Sequence, residues 1–168
     1  QIIYAIAIQK KKGSFFIKLF DTFTNASVHM LYLLSMLYEE VYFVKPNTSR
    51  YANSEKYIVC KYFKLDDSSK IVDKMFIYFD SICNEDNIKQ IFSFKIPYLF
   101  SNKLEELNAI YGQQQIDSIS NTLNLINNNK QEKLDNIKKN NIQKCISWCQ
   151  KYNLPYNKLL TNNIFNNK

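Results

Sequence analysis

Apolar residues in the first third of the chain alternate between helical and strand spacing. In "QIIYAIAIQ" (1–9), Ile2, Ile3, Ala5 and Ile6 read as the end of a helix. Lys10, Lys11, Lys12 and Gly13 then supply the cations and the glycine that suit a helix C-terminus. "SFFIKLF" (14–20) is a short run of aromatic and β-branched residues, the signature of a buried strand, with Lys18 as its one charge. Asp21–Thr24 turn the chain. From Ala26 to Tyr38 the apolar positions Val28, Leu31, Leu34, Met36 and Leu37 return to helical spacing. "VYFV" (41–44) is a second strand stopped by Pro46, and "KYIVCKYF" (56–63) is a third.

Two strands joined by a helix should be parallel with a right-handed crossover. Periodicity does not fix the place of the third strand; by analogy with doubly wound sheets it is expected to return antiparallel beside the first. The fold class is therefore α/β, with a sheet unit over residues 1–66. Beyond it the pattern turns helical. "DDSSKIVDKMFIYFDSIC" predicts a helix, "FSFKIPYLF" an extended stretch around Pro97, and "LEELNAIYGQQQIDSISNTLNLI" an amphipathic helix broken at Gly112. "NNNKQEKLDNIKKNN" reads as an exposed helix or linker. "IQKCISWCQKYNLPYNK" closes with a helix ending before Pro155. Residues 67–160 are read as a helical extension packed on the sheet unit, and 161–168 as a frayed tail.

Bulk properties add limits. With 168 residues, 46% of them hydrophobic and 15% aromatic, the chain can bury a core and is not of disordered type. The net charge of +7 favours a polyanionic partner. No run of about 18 apolar residues suggests a membrane span. Cys60, Cys83, Cys145 and Cys149 do not form a disulfide framework. Cys145 and Cys149 share the apolar face of a helix with Ile142 and Ile146. The single histidine, His29, is read as a helix-surface residue. Tyr4, Phe16, Phe20, Tyr42, Phe43 and Tyr57 are read mostly as core. The opening at Gln1, inside an apolar pattern, suggests a cut through a longer protein.

Three features carry chemistry. Lys18 must reach solvent, a carboxylate or a substrate, because burying an unpaired ammonium is costly. Glu55, at the entry to the third strand, faces Lys18 if that strand lies beside the first; neighbouring strands are about 5 Å apart. The bland alternatives are a snorkelling lysine and an ordinary ion pair. In "KPNTSRYANSE", Arg50 with Ser49 and Asn53 suits phosphate or ribose contact, with Lys45 assisting. Here the alternative is a solvated loop. The chain has no glycine-rich phosphate loop.

"GSFFIKLFDTFT" followed by "LYLLSMLYEEVYFVKPNTSRYANSEKYIVCK" resembles the FtsJ-like RNA ribose 2'-O-methyltransferases. Within them it is most similar to the cap-specific mRNA enzymes of eukaryotes and large DNA viruses. The resemblance covers residues 1–65 closely and the later helices loosely. It implies the C-terminal part of a Rossmann-like methyltransferase sheet, with ligand sites at the carboxyl ends of its parallel strands. It also implies a Lys-Asp-Lys-Glu tetrad in which Lys18 is third and Glu55 fourth, and RNA contacts from Lys45, Ser49, Arg50 and Asn53. S-adenosylmethionine is the implied cofactor, its main loop lying upstream with the first lysine and the aspartate. Without that half the chain is expected to be inactive alone. Two positions depart from the family pattern: "KKGSF" replaces a paired glycine, and Tyr62 stands where glycine is common.

The implied partner is RNA, above all capped mRNA, with a capping enzyme or polymerase as a further one. The implied place is intracellular: nucleus, cytoplasm, or a viral factory or virion. A ribosomal or transfer RNA ribose methyltransferase, a non-catalytic RNA-binding subunit and an interaction module remain alternatives.

Overall fold

A computed structural model describes residues 1–82, 91–128 and 131–157. The expected tail at 161–168 and Cys83 lie outside the described residues. The element order is α1 (Ile2–Ile8), β1 (Phe15–Leu19), α2 (Asn25–Leu37), β2 (Tyr38–Val44), β3 (Lys56–Phe63), α3 (Ser69–Ile82), α4 (Tyr98–Asn128) and α5 (Gln131–Lys151). The chain divides into two compact units, Gln1–Ser118 and Ile119–Lys168.

In the first unit the three strands lie in the order β1-β3-β2. β3 runs antiparallel to both neighbours, so β1 and β2 are parallel to each other. The placement of β3 beside β1 agrees with the one inferred by analogy; β3 also separates β1 from β2. Strand periodicity then assigns two faces. Ile17, Ile58 and Cys60 point to one face and join Ile6, Leu31, Leu34 and Leu104 in the core. Phe16, Lys18, Tyr42, Val44, Tyr57 and Lys61 point to the other. Burial of the Cys60 thiol pushes its pKa up to about 12, which keeps it inert.

Most of the aromatic residues expected in the core are not there. Tyr4 is 65% exposed, Phe16 69%, Phe20 50% and Tyr42 45%. Phe16 and Tyr42 belong to the open sheet face, which among the described residues is not covered by helices. His29 also departs from expectation, in the opposite direction. It is 7% exposed, because the segment around Phe92 folds over α2: the Phe92 N–H donates to His29 Nδ1 at 3.0 Å and the two rings stack at 5.5 Å.

Helix ends follow ordinary capping. The Thr24 hydroxyl accepts from the Ser27 N–H, starting α2. Asp67 caps α3 through the Ser69 N–H at 2.9 Å. The stretch before Pro97 is non-helical as expected, but Tyr98–Phe100 already belong to α4. α4 runs unbroken through Gly112, where an added Cβ would meet nothing within 4 Å. One glycine costs a helix only about 1 kcal/mol, too little to break 31 residues. In the second unit, α5 finishes with Asn153 in the left-handed region (φ 53°) and the Leu154 N–H donating to the Cys149 carbonyl at 2.9 Å, just before Pro155.

Candidate active site on the open sheet face

Lys18 lies near the carboxyl end of β1, opposite Tyr57 of β3. Alternation along β1 turns it to the open face, where its side chain is 46% exposed. It is not a buried lysine in this chain. Its Nζ lies 3.5 Å from Glu55 Oε1 and 5.2 Å from the centre of the Phe20 ring. The two residues that the sequence singled out for chemistry therefore meet, across neighbouring strands.

Glu55 is the more constrained partner, with a side chain 18% exposed. The Tyr57 hydroxyl donates to its Oε1 at 2.7 Å, and the Asn53 amide donates to its Oε2 at 3.4 Å. The Asn53 side-chain oxygen Oδ1 accepts from the Glu55 N–H at 3.1 Å. Asn53 therefore orients the carboxylate. The Tyr57 hydrogen bond, with the Lys18 and Lys45 charges adding to it, holds the Glu55 carboxyl below its ordinary range. Tyr57 shifts up in consequence. Sequence reasoning filed Tyr57 with the core. The available signal was its position two residues past Glu55, which puts both on one face.

Lys45 serves the loop from inside. Its Nζ donates to the carbonyls of Asn53 at 2.5 Å and Glu55 at 2.9 Å, tying the loop end to β2. Burial lowers its pKa, with Glu55 partly opposing. Ser49 Oγ is buried and has no hydrogen-bond partner, whereas Arg50 is exposed. Lys56, 4% exposed, was also missed by sequence reasoning. It begins β3 on the buried face, feels the charge of Asp21, and packs 5.9 Å from the Tyr111 ring centre.

Two positions carry backbone strain. Lys12 and Tyr62 have φ of 63° and 60°, a region that residues with a Cβ rarely adopt. Both lie where the sequence departs from a glycine pattern. The surrounding pairing enforces them: the Lys12 N–H donates to the Phe63 carbonyl at 2.8 Å, and the Phe63 N–H to the Gly13 carbonyl at 3.0 Å. Gly13 serves this turn, where a Cβ would lie 2.7 Å from the Lys10 carbonyl oxygen. Among the described residues no group of three or more His, Cys, Asp and Glu side chains is placed to hold a metal.

A direct test of this geometry is the Glu55 carboxyl titration, followed by NMR on this chain. Glu55 should titrate below the usual carboxylate range, and Tyr57→Phe should move it upward. A carboxyl with a depressed pKa contributes stability above its unfolded value and loses it as pH falls through the folded one. The Lys18–Glu55 pair should therefore persist below the usual glutamate pKa in the parent and dissolve at higher pH in Tyr57→Phe. An unmoved titration in the variant contradicts the arrangement.

Residues 1–63 match the model of the FtsJ-like methyltransferase family. Cap-specific mRNA (nucleoside-2'-O-)-methyltransferase 2 of Pongo abelii is 31% identical over 143 residues, 82% of this chain and 18% of that protein. That similarity runs beyond the family match into the helical part. Cap-specific mRNA (nucleoside-2'-O-)-methyltransferase 1 of Caenorhabditis elegans is 49% identical over 61 residues, 36% of this chain and 7% of that protein. Inactive cap-specific mRNA (nucleoside-2'-O-)-methyltransferase 1B of Caenorhabditis briggsae is 39% identical over 66 residues, 39% of this chain and 8% of that protein. The chain thus spans less than a fifth of the length of these curated relatives. The family match thus lies within residues 1–63, the segment that holds Lys18 and Glu55.

Proposed function

We propose that this chain supplies part of the catalytic centre of an RNA ribose 2'-O-methyltransferase acting at the mRNA cap. The observation that carries the reading is the Lys18–Glu55 pair at 3.5 Å, near the carboxyl end of a strand in the matched segment. Relatives named as cap-specific 2'-O-methyltransferases support the substrate class.

A ribose hydroxyl is a poor nucleophile until its proton is removed or strongly polarised. In this reading Lys18 Nζ meets the 2'-hydroxyl and holds or takes that proton. Glu55, fixed by Tyr57 and Asn53, aims the lysine. In this reading exposed Arg50 meets the RNA backbone, the buried Ser49 hydroxyl reaches it only if the loop shifts on binding, and Lys45 acts as a strut for the loop.

S-adenosylmethionine is the implied methyl donor, and in this reading its main glycine-rich loop is not among the described residues of this chain. Gly13 is committed to a turn and Gly112 to a helix, and neither opens a close backbone approach to a nucleoside. The main cofactor loop, the first lysine and the aspartate of the tetrad belong in this reading to sequence outside the chain, and the chain alone is inactive. The outer edge of β1 supports this, since among the described residues it pairs with no further strand. No described helix is long and apolar enough to cross a membrane. The reading places the protein where mRNA is capped, in nucleus or cytoplasm, with a capping enzyme or polymerase as a further partner.

One observation favours a second reading, a non-catalytic RNA-binding subunit that keeps the fold: a relative named inactive matches a segment of similar length. Methyl transfer from labelled S-adenosylmethionine separates the readings, run with this chain alone and joined to upstream sequence of its reading frame. Ribose labelling of capped but not uncapped RNA by the longer protein supports the proposal. Equal labelling of uncapped RNA points to a ribosomal or transfer RNA enzyme. Binding without labelling by either protein points to the non-catalytic subunit.

A further inference from the structure

A cavity of about 690 Å³ lies where β1 gives way to α2. Its walls include Phe23, Asn25, His29, Phe94, Lys95 and Glu105. That volume falls among pockets that hold small organic ligands, roughly 300–1,000 Å³. It is close to the candidate active site: Thr22, also in the wall, follows Lys18 by four residues, so at most ~14 Å of chain separates them.

The aromatic part of the wall is built rather than incidental. His29, Phe92 and Phe94 form a ladder of near-parallel rings, with centroids 5.5 Å apart at 12° and then 5.0 Å apart at 14°. Tyr32 braces Phe94 edge-on at 6.1 Å. The ladder ends in Phe94, which is 46% exposed, and Phe23, also in the wall, is 68% exposed. The Thr22 hydroxyl donates to Asn108 Oδ1 at 2.7 Å, which ties α4 to the turn and fixes the cavity's shape. The His29 Nδ1 accepts the Phe92 N–H, so the neutral ring carries its proton on Nε2, and burial favours that neutral form.

We propose that this cavity receives an unpaired RNA base next to the nucleotide whose ribose is at Lys18, stacked on Phe94. This rests on the RNA methyltransferase reading and adds where the strand runs beyond the reacting sugar. Flat exposed aromatics suit the π-face of a base, and the Asn25 amide and Glu105 carboxylate suit its polar edge. Lys95 suits the adjoining phosphate. A purely apolar ligand would leave these polar groups unused.

The test uses this 168-residue chain and a short single-stranded oligoribonucleotide carrying one 2-aminopurine, moved along the sequence, beside oligomers abasic at the same positions. At one position the chain should quench 2-aminopurine and bind the abasic oligomer about 5- to 150-fold more weakly, the range for loss of one stacked base. Phe94→Ala should abolish the quench and bind intact and abasic oligomers alike, while Phe94→Tyr keeps both effects. Lys95→Glu, on an exposed side chain, should weaken binding of both oligomers and flatten its salt dependence. Equal affinity for intact and abasic oligomers at every position, or an undiminished quench in Phe94→Ala, overturns the base pocket while leaving RNA as substrate. Reversal of the quench by S-adenosylhomocysteine assigns the cavity to the cofactor's adenine and overturns it too. If the chain binds no RNA, the pocket and the RNA reading of this segment fall together.

Discussion

Replacing Lys18 with alanine, in a protein that joins this chain to a cofactor-binding half, should lower methyl transfer to capped RNA by about 10²–10⁴-fold, the usual worth of a positioned proton-transfer group. The fold should survive. Lys18 is 46% exposed on the open sheet face, and its contacts are an ion pair with Glu55 and the face of Phe20. A half-exposed pair of this kind adds little to stability, because solvent screens it. The thermal midpoint should therefore hardly move while the rate collapses. Lys18→Arg should not rescue the rate, since a guanidinium stays charged and cannot take a proton. Labelled S-adenosylmethionine with capped RNA reads the rate, and calorimetry on the same samples reads the fold. Transfer near the parent's rate in Lys18→Ala would remove Lys18 from the mechanism. A parallel loss of rate and midpoint would make it structural.

The elements of the first 63 residues were legible because their local signals agree. The period changes from helix to strand and back within "AIAIQKKKGSFFIKLFDTFTNASVHML", and each change coincides with a cap, a turn residue or a charge. The meeting of Lys18 and Glu55 was legible only with the strand order, which came from resemblance and not from spacing. What failed needed knowledge of neighbours. Phe16 and Tyr42 look like core residues, because an aromatic on a strand carries no mark of whether its face is covered. His29 looks like a surface residue, because the segment that buries it arrives from more than 60 positions away. Gly112 looks like a break, yet one glycine costs about 1 kcal/mol, and the helix is anchored by buried Leu104 and continues through Gln113–Gln115. Lys12 and Tyr62 are the converse. There the departures from a glycine pattern left the local backbone open, and in the structure it takes positive φ. The pairing of Lys12 and Gly13 with Phe63 imposes that conformation whatever the side chain.

Lys45 divides a loop that binds RNA from a loop that is itself held. From sequence it belongs with Arg50 as a basic contact; in the structure its ammonium is spent on the carbonyls of Asn53 and Glu55. Lys45→Met keeps the stem and removes both hydrogen bonds, so two part-buried carbonyls lose their donor, at about 1–3 kcal/mol for each that water cannot reach. Asn53 and Glu55 are also the residues that shape the carboxylate facing Lys18, so releasing them disperses Glu55 over several positions. Misplacement by about 1 Å is enough to cost roughly 10²-fold in rate. Lys45→Met should therefore lower the turnover of capped RNA by about that factor, with little change in the salt dependence of binding. Arg50→Met should do the opposite: near-normal turnover at saturating RNA, weaker binding, and a salt slope reduced by about one phosphate contact. Measuring both variants for turnover and for binding against salt separates the two roles. If Lys45→Met lowers the salt slope and leaves saturated turnover intact, the ammonium works on RNA and the strut is wrong. If it behaves as the hydrogen bonds require, the density of charge in "KPNTSRYANSEK" has two sources: Arg50 faces the nucleic acid, and Lys45 holds the chain that delivers Glu55.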